Sequence, residues 1–427
     1  MRILRSFALL GAALGVLLSG VAAAETTYIK AGRMIDVADG RVLRDRVIVV
    51  DGERIERVGT PGSIDIPPGA RVIDLGDRTV LPGLFDMHVH LTGDTSAQGY
   101  QNLAASLPRN TLFGAKNAKL ALESGFTSVR NVGAGGYADI ALRDAINAGD
   151  VPGPRMRASG PALGITGGHC DSNLLPPEYE DYSEGVADGP WAIRTKVREN
   201  IKYGADVTKF CATGGVLSKG TSVGAQQYTL EEMATIVDES QRRGLKVAAH
   251  AHGTEGIRAA IQAGVDSVEH ASLIDDEGIR MARERGTFLV MDIYVHSYIM
   301  EGGVAAGFLP ESLEKEKIVG QAQRDNFRKA HEAGVRIAFG SDAGVFPHGI
   351  SARQFAYMVQ YGMTPMEAIQ SATVVAAELM GWETEAGALE PGMYADIIAV
   401  PGDPIGDIRA LENVSFVMKG GEVHVDR

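Results

Sequence analysis

The chain has 427 residues, of which 45% are hydrophobic, and its formal net charge is -13 at pH 7. This length and composition exclude a disordered chain and allow one large domain with a smaller one. The acidic charge argues against nucleic acid as a partner, because phosphate backbones repel a negatively charged protein. The chain has two cysteines, Cys170 and Cys211, which are too few for a disulfide framework. We expect both to be free thiols, although a single bridge between them stays open.

The first 24 residues have the three-part pattern of a secretory signal peptide. Arg2 and Arg5 precede an apolar run from Phe7 to about Val21, and three alanines ending at Ala24 offer a cleavage site. The apolar run is shorter than the roughly 20 residues that span a bilayer. We therefore expect cleavage rather than a retained membrane anchor, and a mature protein that is periplasmic or secreted.

Short alternating strands with tight turns dominate both ends of the mature chain. Residues 28–32, 47–50 and 54–58 have this pattern, and Asp51-Gly52 is a hairpin signal. Segments with the same pattern follow near the C terminus; they are residues 395–400, 414–419 and 422–425. We predict one small β-sandwich domain that is assembled from residues 25–82 and residues 384–427.

Residues 83–383 alternate apolar strands with amphipathic helices, which is typical of βα units around a parallel sheet. The clearest helix covers residues 229–243, where Thr229-Leu-Glu-Glu232 is a capping box and Gly244 ends the helix. Eight predicted strands make an α/β fold of the (β/α)8 TIM barrel type the expected architecture; they begin near Leu84, Thr127, Met156, Val207, Val247, Ser267, Thr287 and Ile337. In such barrels the chemistry lies at the C-terminal ends of the strands.

Residue types that bind metals occur at these predicted strand ends. In Val80-Leu-Pro-Gly-Leu-Phe-Asp-Met-His-Val-His-Leu91, the two histidines are two residues apart, so on a strand both imidazoles leave the same face. Chance can produce this spacing, but ligand types also follow other predicted strands; they are Lys209, His250, His252, His270 and Asp342. Because neutral imidazole is a common ligand of zinc-like metals, we predict a metal site at the barrel mouth.

Lys209 is the unusual member of this set. It lies in the predicted strand Val207-Thr-Lys-Phe-Cys-Ala212, which directs it into the barrel mouth. Burial lowers the pKa of a lysine, and a neutral amine can add carbon dioxide to form a carbamate whose oxygens bridge two cations. A lysine held in a salt bridge is the alternative, and the neighbouring histidines favour the carbamate.

The chain resembles the amidohydrolase superfamily, in the subtype that has a binuclear metal centre. The motifs that carry the resemblance are Thr208-Lys-Phe210, Ala249-His-Ala-His-Gly253, Ser267-Val-Glu-His-Ala271, Gly340-Ser-Asp-Ala343 and Gly387-Ala-Leu-Glu-Pro-Gly-Met-Tyr-Ala-Asp-Ile397. They are most similar to the prolidase-like and imidazolonepropionase-like group, and closest to secreted carboxypeptidase-type members and bacterial ochratoxin-degrading amidohydrolases. The resemblance implies that one metal is bound by His88, His90 and Asp342 and the other by His250 and His270, with carboxylated Lys209 bridging them. It also implies a homo-oligomer, for which an octamer is one form.

This ligand set implies attack on an amide by a hydroxide that bridges two divalent ions, with zinc expected and manganese and cobalt also suitable. Asp342 is expected to move the proton to the leaving nitrogen, and His252 to donate to the oxyanion or a substrate carboxylate. A supporting role for His252, without substrate contact, is the alternative. Further candidates for substrate contact are weaker and lie in loops after the strands; they are His169, Tyr228, Tyr137, His296 and Tyr298.

The function that we predict is hydrolysis of an amide that releases a C-terminal amino acid, from dipeptides, N-acyl amino acids or ochratoxin A. The alternative within the superfamily is ring opening of a cyclic amide or deamination, as in imidazolonepropionase-like enzymes. A non-catalytic relative that has lost its ligands is the alternative from another class, but no ligand is missing from this sequence. The predicted partner is a small-molecule amide.

Overall fold

The computed structural model of the protein describes residues 26–427, and the predicted signal peptide at residues 1–24 lies outside the described residues. The strands are β1 (Thr27–Asp36), β2 (Arg41–Asp51), β3 (Arg54–Gly59), β4 (Arg71–Asp74), β5 (Thr79–Pro82), β6 (Leu84–Val89), β7 (Phe126–Asn131), β8 (Arg155–Ala158), β9 (Val207–Cys211), β10 (Lys246–Ala251), β11 (Ser267–His270), β12 (Phe288–Val290), β13 (Ile397–Val400), β14 (Phe416–Lys419) and β15 (Glu422–Asp426). The α-helices are α1 (Leu107–Glu123), α2 (Ala138–Ala148), α3 (Gly189–Lys202), α4 (Leu230–Gln241), α5 (Thr254–Ala263), α6 (Asp276–Arg285), α7 (Val295–Gly302), α8 (Pro310–Glu332), α9 (Gln354–Gln360), α10 (Pro365–Ser371) and α11 (Val374–Met380).

Strands from both ends of the described chain form one sheet. Its order is β15-β14-β13-β5-β1-β2-β3, and β4 pairs with β1 in parallel. The antiparallel pairing of β13 with β5 brings Ile397 opposite Pro82, which places the return of the chain beside the segment that enters the barrel. The predicted hairpin at Asp51-Gly52 joins β2 to β3, and Gly52 supplies the positive φ of 56° that this turn needs. Strand side chains alternate between the two faces of the sheet, and those that point to the inner face are apolar.

The middle of the chain is an α/β barrel of parallel strands with helices outside. Two parallel sheets, β6-β7-β8 and β9-β10-β11-β12, account for seven of the eight predicted strands. Single parallel bridges join them, from Leu163 to Phe210 on one side and from Leu289 to Ile337 and Val89 to Ala343 on the other. Backbone pairing therefore runs in the cyclic order of the predicted barrel. The eighth segment, which was expected to begin near Ile337, makes only these bridges and is too irregular to form a strand.

The predicted capping box at the start of α4 is confirmed. The Thr229 side chain accepts a hydrogen bond from the backbone N–H of Glu232, and the Glu232 carboxylate accepts one from the backbone N–H of Thr229. This reciprocal pair satisfies donors that the first helical turn would otherwise leave free. The core of the barrel packs between the strands and such helices, and the ends of the strands remain free to carry polar groups.

Candidate active site

A cavity of about 520 Å³ opens at the C-terminal ends of the barrel strands. Every residue that was predicted to bind metal lines it; they are His88, His90, Lys209, His250, His270 and Asp342. His252 and His169 line it as well. Its size is within the range of about 300–1,000 Å³ that is usual for small-molecule sites. The structure thus brings together side chains from strands that are up to 254 residues apart in the sequence.

His88, His90 and Asp342 form the first group of potential ligands. The Nε2 atoms of His88 and His90 each lie 3.4 Å from Oδ1 of Asp342. The Nδ1 atom of His90 faces the carbonyl of Gly133 at 3.3 Å. Burial lowers the pKa of His90 to about 4 and raises the pKa of Asp342 to about 7. Burial also holds the pKa of His88 well below its ordinary value, so both rings are neutral, which is the form that binds a metal.

His250, His252 and His270 form the second group. Their ring centroids lie 4.6 to 4.8 Å apart, and a nitrogen of each ring can reach a common point. The Nδ1 atom of His252 is 2.8 Å from Oγ of Ser272. The Nδ1 atom of His270 is 2.8 Å from Oδ1 of Asp292. Each of these contacts leaves Nε2 as the nitrogen available to a metal or a substrate.

The donor set fits divalent metal ions. The Nε2 atom of His250 is buried and has no hydrogen-bond partner among residues 26–427. Such a buried and unpaired nitrogen is costly, and a metal ion would satisfy it. The two groups are adjacent, because the rings of His88 and His270 are 5.0 Å apart and a further potential ligand group joins His270 to Asp342 and Asp292. Imidazole and carboxylate ligands suit zinc, manganese and cobalt.

Lys209 lies on β9, with 4% of its surface exposed, and lines the same cavity. Burial lowers its pKa to about 8. Its ammonium group has no carboxylate within 4.0 Å in the described part of the chain. The salt bridge that was the alternative for Lys209 is therefore not formed between the described residues.

A buried ion pair lies beneath the first ligand group. The Nδ1 atom of His88 is 2.9 Å from Oε2 of Glu269, whose other oxygen accepts a hydrogen bond from Arg130 at 2.8 Å. Arg130 also donates to the carbonyl of Met87 and to Ser267. These contacts fix the orientation of the His88 ring. No role was predicted for Glu269 from the sequence, where it appeared only within a motif. The alternation along β11 nevertheless turns Glu269 and Ser267 into the barrel.

His169 is held over the second ligand group. Its ring stacks on that of His250 with the centroids 4.1 Å apart, and its Nδ1 atom is 2.8 Å from Oγ of Ser218. Its backbone N–H donates to Gln227. A Cβ atom at Gly215 would collide with the His169 ring, so this position needs glycine. His169 thus lies in the wall of the cavity, in a fixed orientation.

The prediction of free thiols is wrong, because Cys170 and Cys211 form a disulfide. The loop after β8 folds back over the end of β9, which brings the two Cα atoms to 5.8 Å, a normal distance for a disulfide. Both cysteines line the cavity, and the bridge ties the loop that carries His169 to the strand that carries Lys209. The sequence separation of 41 between the two cysteines concealed this proximity.

The other predicted substrate contacts do not reach the cavity wall. Tyr228 is fully buried and its hydroxyl donates to the carbonyl of Ala187. Tyr137 donates to Asn200 and packs on Tyr203. In the seventh-strand loop, two further candidates face neighbouring side chains instead; His296 is 2.8 Å from Glu316, and Tyr298 packs on Phe308 and Phe346. A loop position alone therefore did not predict which side chains face the cavity.

Asp292 was missed by sequence reasoning. It lies two residues after the end of β12, is 4% exposed, lines the cavity and joins His270 and Asp342 in a potential ligand group. The side-chain amide of Gln323 donates a hydrogen bond of 2.7 Å to Oδ1 of Asp292, the oxygen that also faces His270. The rule that chemistry lies at strand ends would have found Asp292 had it been applied to the seventh strand.

Comparisons with known proteins agree with this architecture. The Amidohydrolase family matches residues 79–424 of the chain. Ochratoxinase from Aspergillus niger is 35% identical, over 94% of this chain and 87% of that protein. A crystal structure of a Xaa-Pro dipeptidase with methionine bound in the active site is 41% identical and superimposes with a TM-score of 0.87, over 94% of this chain and 100% of that one. Imidazolonepropionase from Streptomyces avermitilis is 24% identical, over 83% of this chain and 80% of that protein.

Proposed function

We propose, on the premise that this chain belongs to the amidohydrolase family, that it releases the C-terminal amino acid from dipeptides and N-acyl amino acids. The chain is a hydrolase that acts on amide C–N bonds. The observation that carries the proposal is the meeting of two ligand groups at Asp342 and His270 in one cavity of small-molecule size.

His88, His90 and Asp342 would hold one divalent ion, and His250 and His270 the other. Zinc is our first choice for both, given the imidazole and carboxylate ligands. When bound, two such ions lower the pKa of a water held between them and polarise the scissile carbonyl. Support comes from the unpaired Nε2 atom of His250 and from burial of that ring, which holds its pKa well below the ordinary value and keeps it neutral.

Lys209 would bridge the two groups as a carbamate. A new bond joins its Nζ atom to the carbon of carbon dioxide, and the amine loses a proton to solvent. The product carries a negative charge with two oxygens, which a buried site between two cations favours over an ammonium group. The missing ion pair of Lys209 among the described residues supports this step.

Asp342 would transfer a proton during the reaction, and His252 would stabilise the negative charge that develops on the carbonyl oxygen. Burial raises the pKa of Asp342 to about 7, so its carboxylate can accept a proton from the attacking water and return it to the leaving nitrogen. His252 is neutral, because burial holds its pKa well below the ordinary value. If Ser272 donates to its Nδ1 atom, the opposite N–H of His252 points into the cavity and stabilises the oxyanion.

An amino acid as the leaving group is supported by the relatives. One is a Xaa-Pro dipeptidase whose active site holds methionine, and another is an ochratoxinase. The proposed substrates therefore include ochratoxin A, which would give ochratoxin alpha and phenylalanine.

We further propose that the protein is exported and acts as a homo-oligomer. The Cys170–Cys211 disulfide supports export, since such bonds persist in oxidising compartments. Within residues 26–427, no helix combines the length and apolar character that crossing a membrane requires.

The test is a panel of dipeptides, N-acyl amino acids and ochratoxin A with metal-loaded protein, scored by the released amino acid. We expect release from several members, about two metal ions per chain, and loss of release in Asp342→Asn. Cleavage of cyclic amides alone, with one metal ion per chain and activity that is indifferent to Lys209→Ala, would favour the ring-opening alternative instead.

A further inference from the structure

A second cavity of about 370 Å³ lies outside the catalytic cavity, and we call it the outer chamber. Four segments on the C-terminal face of the barrel form it; they are residues 98–103, residues 169–174, residues 217–219 and residues 308–312. These segments follow β6, β8, β9 and α7. The outer chamber is therefore built from the loops that select substrates in barrels of this kind.

The two cavities are contiguous. Gln98, Asn102, His169 and Leu217 line both of them. Because the His169 ring stacks on His250, the outer chamber begins one side chain away from the second ligand group. A substrate whose amide lies at the ligand groups can therefore extend past His169 into the outer chamber.

The boundary between the two cavities is rigid. His169 is fixed by its contacts with Ser218 and Gln227, by the close approach of Gly215 and by the disulfide at the next residue. Ser218 is itself held, since its carbonyl accepts a hydrogen bond from Lys315 at 2.6 Å. A rigid wall gives the outer chamber a fixed shape before a ligand binds, which reduces the entropy cost of binding.

The walls of the outer chamber suit an uncharged group, because apolar side chains alternate there with neutral polar ones and the two charged side chains are already engaged. Its apolar side chains are Leu103, Leu174, Leu217, Phe308 and Leu309. The carboxylate of Asp171 is occupied by the backbone N–H groups of Gly167, Ser172 and Ser183. Lys219 is exposed and donates to the hydroxyl of Tyr100, so solvent screens its charge.

We infer that the outer chamber is a substrate subsite for the distal part of the acyl group, and that the protein prefers N-acyl amino acids with an extended, uncharged acyl chain. This inference rests on the proposed function for the position of the scissile bond. The amino-acid end of the substrate is short and carries a carboxylate, whereas Lys219, the lysine in the described walls of the outer chamber, is solvent-exposed and already donates to Tyr100. The acyl end is the one that can fill a second cavity.

The first measurement is kcat/KM for N-acetyl-, N-hexanoyl- and N-decanoyl-phenylalanine with metal-loaded protein. Each methylene that leaves water is expected to raise kcat/KM by about two- to fourfold. We expect the decanoyl compound to exceed the acetyl compound by at least about 30-fold. Equal values for the three substrates would overturn the inference, and so would a preference for a succinyl over a hexanoyl group.

Variants of the chamber walls test whether the dependence on acyl length arises in the outer chamber. Leu174 lines only the outer chamber, and Leu174→Trp would narrow it and weaken the dependence on acyl length. Leu103→Asp is a second variant that folding tolerates, because 44% of that side chain is exposed, and it would reduce the same dependence. Leu112, which is 65% exposed on α1 and lines neither cavity, is the matched control as Leu112→Trp and Leu112→Asp. A length dependence that survives both chamber variants would place the acyl group elsewhere.

A binding measurement separates this inference from the proposed function. N-decyl-phenylalanine and N-ethyl-phenylalanine have no carbonyl to attack, so the protein binds them without turnover. Calorimetry should give the decyl compound an affinity at least about 30-fold higher, and Leu174→Trp should reduce the difference. If this difference is found while no amide is cleaved, the proposed function fails and the subsite stands. If amides are cleaved and the two affinities are equal, the subsite fails alone.

Discussion

Glu269 accepts a hydrogen bond from Nδ1 of His88 over 2.9 Å, and both side chains are buried in the barrel. A neutral imidazole that donates through Nδ1 presents the lone pair of Nε2 on its other side. That atom is the one that faces Asp342. Glu269 thus selects the form of His88 that can bind a metal, although Glu269 itself does not line the cavity.

We predict that Glu269→Gln lowers metal affinity and kcat by about 10- to 100-fold each. A glutamine keeps the shape and can still accept from Arg130, but its amide nitrogen cannot accept from Nδ1 of His88. Metal content by mass spectrometry and kcat at saturating metal would measure the two effects. Excess metal should restore part of the activity, since the ligand is misoriented rather than lost.

Glu239→Gln is the matched control for this variant. Glu239 is also a buried glutamate that pairs with arginines, Arg194 and Arg198, but it lies on α4 away from the cavity. It should lower the melting temperature without changing metal content. If both variants reduce metal content equally, a general loss of packing explains the result and Glu269 has no orienting role.

The role of His252 is either to bind a metal ion or to contact the substrate. Both are open to it, because the structure places it within ligand distance of His250 and His270. We predict that His252→Asn keeps two metal ions per chain and lowers kcat by about 10²- to 10³-fold, as expected for loss of an oxyanion donor. His270→Asn is the comparison variant and should lose one ion. Loss of a metal ion in His252→Asn would instead make His252 a ligand.

The sequence predicted which strand-end side chains meet in the cavity better than which side chains beyond the strands face it, and the reason is geometric. His88 lies on β6 and His90 directly after it, so the alternation of the strand fixes their direction, and the barrel rule then places strand ends together. Tyr228 lies in a loop and His296 on the short helix α7, where packing decides the direction of a side chain. Tyr228 has turned inward to satisfy the carbonyl of Ala187, and no periodic pattern in the sequence predicts such a turn.

The disulfide was beyond sequence reasoning for a related reason. Its position depends on how the long loop after β8 returns to β9, and the path of that loop has no periodic signal. Glu269 and Asp292 could have been found, because both lie on or directly after strands whose ends were already predicted to form the site. The fold and the positions of the potential metal ligands therefore follow from local rules, while the walls of the cavity depend on tertiary packing.

We predict that the Cys170→Ser/Cys211→Ser double variant keeps its metal ions but has an altered substrate site. Without the bridge, the loop that positions His169 is released, so KM should rise by about tenfold while metal content stays at two per chain. Loss of the cross-link over 41 residues should also lower the free energy of unfolding by about 4 kcal/mol in urea titrations. The unreduced, denatured wild type should titrate no free thiol. Two free thiols would contradict the bridge, and an unchanged KM would leave it only a stabilising role.

Lys209 provides a chemical test of the carbamate. We predict that metal-loaded protein prepared with ¹³C-labelled bicarbonate shows one carbamate resonance in its carbon spectrum, because the buried Nζ atom is the only lysine amine that faces the cavity in the described part of the chain. Lys209→Ala should lose the resonance together with at least one metal ion and nearly all activity. Lys315→Ala is the matched control, since burial also lowers the pKa of that lysine but its amine donates to the carbonyl of Ser218 and lines neither cavity. Two results would contradict the carbamate at Lys209. One is a resonance that persists in Lys209→Ala, and the other is full activity after exhaustive removal of carbon dioxide before metal loading. Carbon dioxide must be removed before the metal ions are added, because bound metal ions should trap the carbamate once it has formed.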